Sequence, residues 1–224
     1  MAKPTHSFEK AVYLSHAEDQ TQQWLKLYEE LYQRLDATQP LNFNCLGWNS
    51  SYTRAPFLEE EMQEWIDTTV QRILSLKPKR VLEIGCGAGL LMTRLAPYCD
   101  FYRATDFSEA AIQYLEKVRL NLNLQEKISL LQRAAGIFDD EEQSDYDVII
   151  INSVVQYFPD IEHLIQVIES SIVCMQPGGK LFIGDIRSLR HLEAFHRATL
   201  LSTEKKLSER EVAYKIKHDP RQFF

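Results

Sequence analysis

Apolar and polar positions along the chain change their period near residue 79. Before it the period is helical: Trp24, Leu25, Leu27, Tyr28, Leu31, Tyr32 and Leu35 recur at three- and four-residue intervals among Glu29, Glu30 and Arg34. That spacing predicts a helix over about residues 6–38, docking an apolar stripe on the rest of the fold. A second amphipathic stretch, EEEMQEWIDTTVQRILSL, opens on acidic residues, which the helix dipole favours, and stops at Pro78. Between the two, Pro40 to Pro56 is a break rich in Asn and Ser and dotted with aromatic residues.

From Lys79 onward short apolar runs alternate with helical stretches. Arg80 to Ile84 runs into glycines, as a buried parallel strand does, and residues 89–97 read as a helix. Phe101–Thr105 is a second strand, and Ser108 caps a helix to about Leu120. Lys127–Ala134 is a third strand. Val148-Ile149-Ile150-Ile151, after Asp145-Tyr146-Asp147, is the most apolar run and predicts a central strand. A helix over Ile161–Met175, a Pro177-Gly178-Gly179 turn, a fifth strand over Lys180–Gly184 and a helix from Ser188 to about Leu201 complete the pattern. Strands alternating with helices imply an α/β fold on a parallel sheet with right-handed crossovers.

Composition narrows the function classes. The 224 residues are 45% hydrophobic and 25% charged, with a formal charge of −7, which argues against an extended phosphate-binding surface and so against nucleic acid as a partner. Cys45, Cys86, Cys99 and Cys174 include no C-x-x-C pair and no Cys/His cluster, so no metal is expected. No stretch approaches the roughly 18 apolar residues that cross a bilayer, and the N-terminus leads into no apolar run. The expectation is a cytoplasmic protein that does not engage a membrane.

The informative stretch is Glu83-Ile84-Gly85-Cys86-Gly87-Ala88-Gly89, placed between a strand and a helix. Its spacing is E-x-G-x-G-x-G, whereas the dehydrogenase pattern starting at Gly85 needs Gly or Ala at position 90 and meets Leu90. Glu83 at the strand end would repel a pyrophosphate and suits a cationic amino group. Asp106 closes the second strand about 20 residues on, where a carboxylate reaches ribose hydroxyls. Together these point to S-adenosylmethionine (SAM) as the cofactor.

VLEIGCGAG, then TDFS and NSVVQYFP, resembles the class I SAM-dependent methyltransferases, and most of all the methyltransferase domains of nonribosomal peptide synthetases. Gly47 to Thr53, EEEMQEW and PGGKLFIGDIRSL also look like theirs, in the same order, over about residues 22–200. The resemblance implies a Rossmann-like core over 79–224 that stops before a final antiparallel strand pair, preceded by a helical or lid segment over 1–78. It implies that Glu83 and the backbone of Gly85, Gly87 and Gly89 hold the methionine end of SAM, that Asp106 takes the ribose hydroxyls, and that Phe107 lies beside the adenine. It also implies that Ala134-Ala135 run along the adenine edge and that Asn152 and Ser153 border the sulfonium. Relatives often carry an acidic residue where Gly136 stands, so the contact to the adenine amino group is either absent here or made by Asp139 instead.

For the chemistry, the segment after the fourth strand supplies Asn152, Ser153, Gln156 and Tyr157 as acceptor-orienting candidates, since parallel sheets place reactive groups at their carboxyl ends. Asn152, Gln156 and Tyr157 also read as turn, cap or packing residues. Trp48, Asn49 and Tyr52 are either a lid over the cofactor or a loop pinned by aromatic packing. The six histidines form no dyad, and His163 and Asp139–Glu142 read as solvated surface. The acceptor implied by resemblance is an aminoacyl group on a carrier protein, methylated at its α-amine. O-methylation of a small natural product, a SAM-binding but inactive structural domain and a nicotinamide-dependent oxidoreductase are the rivals. The fifth strand's outer edge would need cover from a neighbouring synthetase domain, a second copy or the N-terminal segment.

Overall fold

The computed structural model describes residues 22–35, 43–138, 145–204 and 207–217. Residues 22–32 are helical (α1); the remainder of the expected 6–38 helix falls largely outside the described residues. α2 (Glu59–Leu74) buries Met62, Ile66, Val70 and Ile73, the stripe that its spacing demands, and Glu61 accepts from the Leu58 amide at 2.9 Å. Five strands follow: β1 (Arg80–Ile84), β2 (Phe101–Asp106), β3 (Ile128–Gln132), β4 (Tyr146–Asn152) and β5 (Met175–Gly184). They are joined through α3 (Met92–Leu95), α4 (Glu109–Asn121) and α5 (Ile161–Cys174). α6 (Leu192–Thr203) and α7 (Glu209–Lys217) close the described chain.

All strand pairs are parallel, in the order β3-β2-β1-β4-β5. The chain therefore leaves β1 in one direction and returns to its other side at β4, which opens a crevice at the carboxyl ends of those two strands. The unbroken apolar run of β4 has a simple cause. Val148 and Ile150 pack with α2, α3 and α4, while Ile149 and Ile151 pack with α5, so both faces of the strand are covered. α2 shares its hydrophobic cluster with Val81 of β1 and Tyr102 of β2, so it is part of the sheet's core.

Three expectations are corrected. The helix expected over residues 89–97 is confined to α3 and a 3-10 turn, Ala96–Tyr98, because Gly89 still belongs to the loop, with φ +77°, and Pro97 follows. The third strand stops at Gln132 rather than Ala134, and the Arg133 amide folds back to donate to the Asp106 carbonyl at 2.8 Å. Pro177-Gly178-Gly179 lies within β5 as a register irregularity against Tyr146 and Val148, not as a turn ahead of it.

Among the described residues β5 pairs only with β4. The described part of α1 lies elsewhere: its contacts run to Ser108, Ala110 and Tyr157. No helix among the described residues is long and apolar enough to cross a membrane.

Candidate functional site

A cavity of about 650 Å³ opens at the carboxyl end of the sheet, within the size range of small-molecule sites. Every strand contributes to its wall: Glu83 to Ala88 at and after β1, Asp106 and Phe107 from β2, Arg133 to Ala135 after β3, Asn152 to Val154 from β4 and Asp185 after β5. Gln156, Tyr157 and Phe158 continue that wall.

Its floor is the turn after β1. The amides of Gly85 and Cys86 both donate to the Thr105 carbonyl, at 2.8 and 2.9 Å, which ties the turn to β2. Gly85 has φ +73°, and a Cβ there would lie 2.4 Å from Val154 Cγ2, so no side chain fits. Asp106, 3% exposed, joins the two loops: Oδ2 accepts from the Gly87 amide at 2.9 Å and Oδ1 from the Ser108 amide at 2.9 Å. Ser108 in turn caps α4, its hydroxyl accepting from the Ala111 amide at 3.2 Å.

Two buried carboxyl groups thus face one cavity. Glu83 is 4% exposed, and the Tyr102 hydroxyl donates to its Oε2 at 2.8 Å. Burial pushes the Glu83 carboxyl up to about 8, against the lowering effect of the Tyr102 bond and with a further push from Asp106. Burial likewise pushes Asp106 up to about 6, opposed by the amides of Ser108, Gly87 and Phe107. Each rise reflects the cost of holding a negative charge away from water, which a cation placed between them offsets. Burial also holds the Tyr28 and Tyr32 phenols far above their ordinary range, so both stay neutral.

The roof comes from the N-terminal segment. Trp24, Tyr28 and Tyr32, one helical turn apart, line the cavity, and Trp24 and Tyr28 meet Tyr157 edge-on at 4.8 and 5.2 Å between ring centroids. The Tyr32 hydroxyl sits 2.8 Å from where a Gly87 Cβ would project. Glu29 of the same helix fastens it: Oε2 accepts from the Ser108 hydroxyl at 2.5 Å and Oε1 from the Ala110 amide at 3.1 Å, at the amino end of α4. Glu29→Ala is expected to loosen α1 by about 1–2 kcal/mol, since it removes a carboxylate from a helix N-terminus. Faster amide exchange over residues 22–35 with little change in the sheet would show it. Trp48 packs on Trp65 of α2 with centroids 4.5 Å apart, and the Phe57 amide donates to the Trp48 carbonyl at 3.1 Å.

Most of the residues that the sequence singled out converge here: Glu83, Gly85, Gly87, Asp106, Phe107, Ala135, Asn152, Ser153, Gln156, Tyr157, Trp48 and Asn49 all line the cavity. Gly89 does not. It lies behind the turn, where a Cβ would meet Leu115 at 2.6 Å, so its part is packing. Tyr52 lines a smaller neighbouring groove of about 400 Å³, its ring against Phe195 of α6 at 5.8 Å. Asp139 lies outside the described residues. His163 is not solvated surface: it is half-buried, lines the cavity and meets the Phe158 ring at 4.9 Å. Sequence reasoning took Trp24, Tyr28 and Tyr32 as a core stripe; the signal was their aromatic character at four-residue spacing. Asp185 was missed altogether, since one Asp after a strand carries no pattern.

A parallel sheet with a glycine turn after its first strand and a buried acid closing its second places this cavity where open α/β sheets bind their ligands. Residues 82–181 match the family described as a methyltransferase domain. Over 199 residues the chain is 43% identical to chondramide synthase cmdD of Chondromyces crocatus, a match that covers 88% of this chain. The chain spans 5% of that synthase's length. Two solved structures share the fold. One is the [4+2]-cyclase SpnF, with a TM-score of 0.57 and 15% identity, over 73% of this chain and 59% of that one. The other is phosphoethanolamine N-methyltransferase 1 of Haemonchus contortus, with a TM-score of 0.53 and 20% identity, over 75% and 32% respectively. The chain belongs to the class I SAM-dependent methyltransferases. Its relatives include a beauvericin nonribosomal cyclodepsipeptide synthetase of Beauveria bassiana, 32% identical over 85% of this chain and 6% of that protein.

Proposed function

We propose that this chain moves the methyl group of SAM to the α-amine of an aminoacyl group tethered to a carrier protein, as one domain of a peptide-assembling synthetase. The observation that carries the cofactor half is the pair of buried carboxyl groups, Glu83 and Asp106, flanking one cavity. SAM brings an ammonium for Glu83 and ribose hydroxyls for Asp106, and when bound it supplies an electrophilic methyl. Glu83 and the Gly85–Gly87 turn take its amino-acid end, Asp106 its ribose, and Phe107 with Ala134 and Ala135 its adenine. Asn152 and Ser153 border the sulfonium, while Gln156 and Tyr157 meet the acceptor. Trp48 and Asn49, with the aromatic residues of α1, exclude water, which strengthens every electrostatic contact inside.

The acceptor half rests on the similarity to the chondramide synthase across most of the chain. A methyl transfer needs alignment and dryness more than a strong base when the acceptor is an amine. Incubation with SAM and a panel of aminoacyl carrier proteins is expected to add one methyl mass to the aminoacyl group, with fragment ions placing it on nitrogen. A methyl on oxygen, or none on any aminoacyl carrier, would overturn the reading.

A further inference from the structure

The loops after β4 and β5 join two residues assigned to the cofactor, Asn152 and Ser153, to a carboxylate that has no part in holding it, Asp185. Asn152 and Gly184 are the last paired residues of these strands. Directly after them Ser153 has φ +59° and Asp185 φ +56°, left-handed conformations that few side-chain-bearing residues adopt and that cluster at working sites. The strain puts the two side chains together: the Ser153 hydroxyl donates to Asp185 Oδ2 at 2.7 Å, while it accepts from Asn152 Nδ2 at 3.0 Å. The hydroxyl proton is thereby committed to Asp185, and the carboxylate keeps most of its lone pairs for another donor. Beside them Gln156 Nε2 donates to the Ser153 carbonyl at 2.9 Å, which fixes the amide, yet its Oε1 is buried with no hydrogen-bond partner among the described residues. A buried acceptor left unpaired is costly, and a donor from a ligand would satisfy it. Asp185, Ser153 and Gln156 all line the cavity.

We propose that the Asp185 carboxylate and Gln156 Oε1 receive the two N–H bonds of the acceptor's primary amine, with Ser153 as the residue that positions Asp185. This rests on the amine reading above and adds the residues that read the acceptor. A primary amine has two hydrogens and one lone pair, so two acceptors leave the lone pair free to be aimed. The nitrogen takes the methyl carbon as the carbon–sulfur bond breaks with its electron pair on sulfur, and one proton of the resulting ammonium passes to Asp185 and then to solvent. The methylated product offers one hydrogen fewer, so transfer stops after one methyl. A hydroxyl, with a single hydrogen, satisfies only one of the two acceptors.

The test uses the full chain with SAM and a panel of aminoacyl thioesters of N-acetylcysteamine. Asp185→Ala is expected to lower kcat on the best amine substrate by about 100-fold or more, with SAM affinity by calorimetry within about twofold of wild type, a bound well inside the effect of one lost hydrogen bond. Ser153→Gly is expected to keep or raise the melting temperature, because glycine accepts the left-handed backbone, while kcat falls by about tenfold through a misplaced Asp185. Asp185→Asn, which also tolerates that backbone, is expected to fall between Asp185→Ala and wild type. Wild-type methylation of the amine with kcat unchanged in Asp185→Ala would overturn the proposal alone. Methylation of an oxygen, or of no thioester, by the wild type would overturn the amine reading beneath it.

Discussion

Asp106→Ala is expected to weaken SAM binding by about 100-fold or more while the sheet stays folded. The side chain is almost wholly buried and holds the Gly87 amide on one oxygen and the Ser108 amide on the other, both at 2.9 Å. Alanine strips both amides of their acceptor. In the proposed arrangement it also removes the acceptor of the ribose hydroxyls. A hydrogen bond to a charged group contributes about 1.5–3 kcal/mol, so two lost from the ligand alone give about two to four orders of magnitude. Asp106→Asn keeps one carbonyl oxygen and is expected to lose about a tenth to a hundredth as much affinity. Calorimetry with SAM, with circular dichroism as the folding control, checks both. A folded Asp106→Ala protein that binds SAM as the wild type does would put the ribose somewhere else.

Glu83 is expected to make SAM binding depend on pH in a predictable direction. Burial raises its carboxyl from 4.5 to about 8, so in the cofactor-free protein at neutral pH it largely keeps its proton. An ammonium against it favours the ionised form, so binding expels a proton below about pH 8. Affinity is then expected to climb by up to about tenfold per pH unit from pH 6 towards 8, until the ammonium of SAM itself gives up its proton. Calorimetry in buffers of different ionisation enthalpy reads the released proton directly. Glu83→Gln should flatten the profile. The same group acts on folding with the opposite slope. The folded state holds a proton that the unfolded chain gives up near 4.5, so this stabilisation is complete below 4.5 and is lost as pH rises to about 8. The loss is on the order of a few kcal/mol. Asp106, raised to about 6, adds in the same direction over a lower window. Melting temperatures of wild type and Glu83→Gln across that range separate the Glu83 share.

These predictions draw on residues of unequal visibility. Glu83, the glycines and Asp106 stand out in the sequence because strand ends and turns are local: a few consecutive residues set the backbone that must face a ligand. The alternation of strands and helices was legible for a similar reason, since β4 shows burial on both faces as an unbroken apolar run. Trp24, Tyr28 and Tyr32 show the limit of local reading. Helical spacing says that one face is covered, but not whether a wall of the core or a cavity covers it. That depends on Glu29 finding the amino end of α4 some 80 residues away. Ser153 and Asp185 meet because β4 and β5 are neighbours in the sheet, and their pairing across 32 residues leaves no periodic trace.

The sequence by itself determined the class of fold, the order of its strands along the chain and the turn-and-carboxylate pair that lines the cavity. All of these are written in short-range patterns of burial, glycine conformation and charge. Only the tertiary structure decided which aromatic residues roof the cavity, that His163 lies in its wall and that Gly89 lies behind it. It alone brought Gln156, Ser153 and Asp185 to one place. Those outcomes depend on packing between distant segments, and packing energy is a property of contacts that no stretch of chain contains on its own.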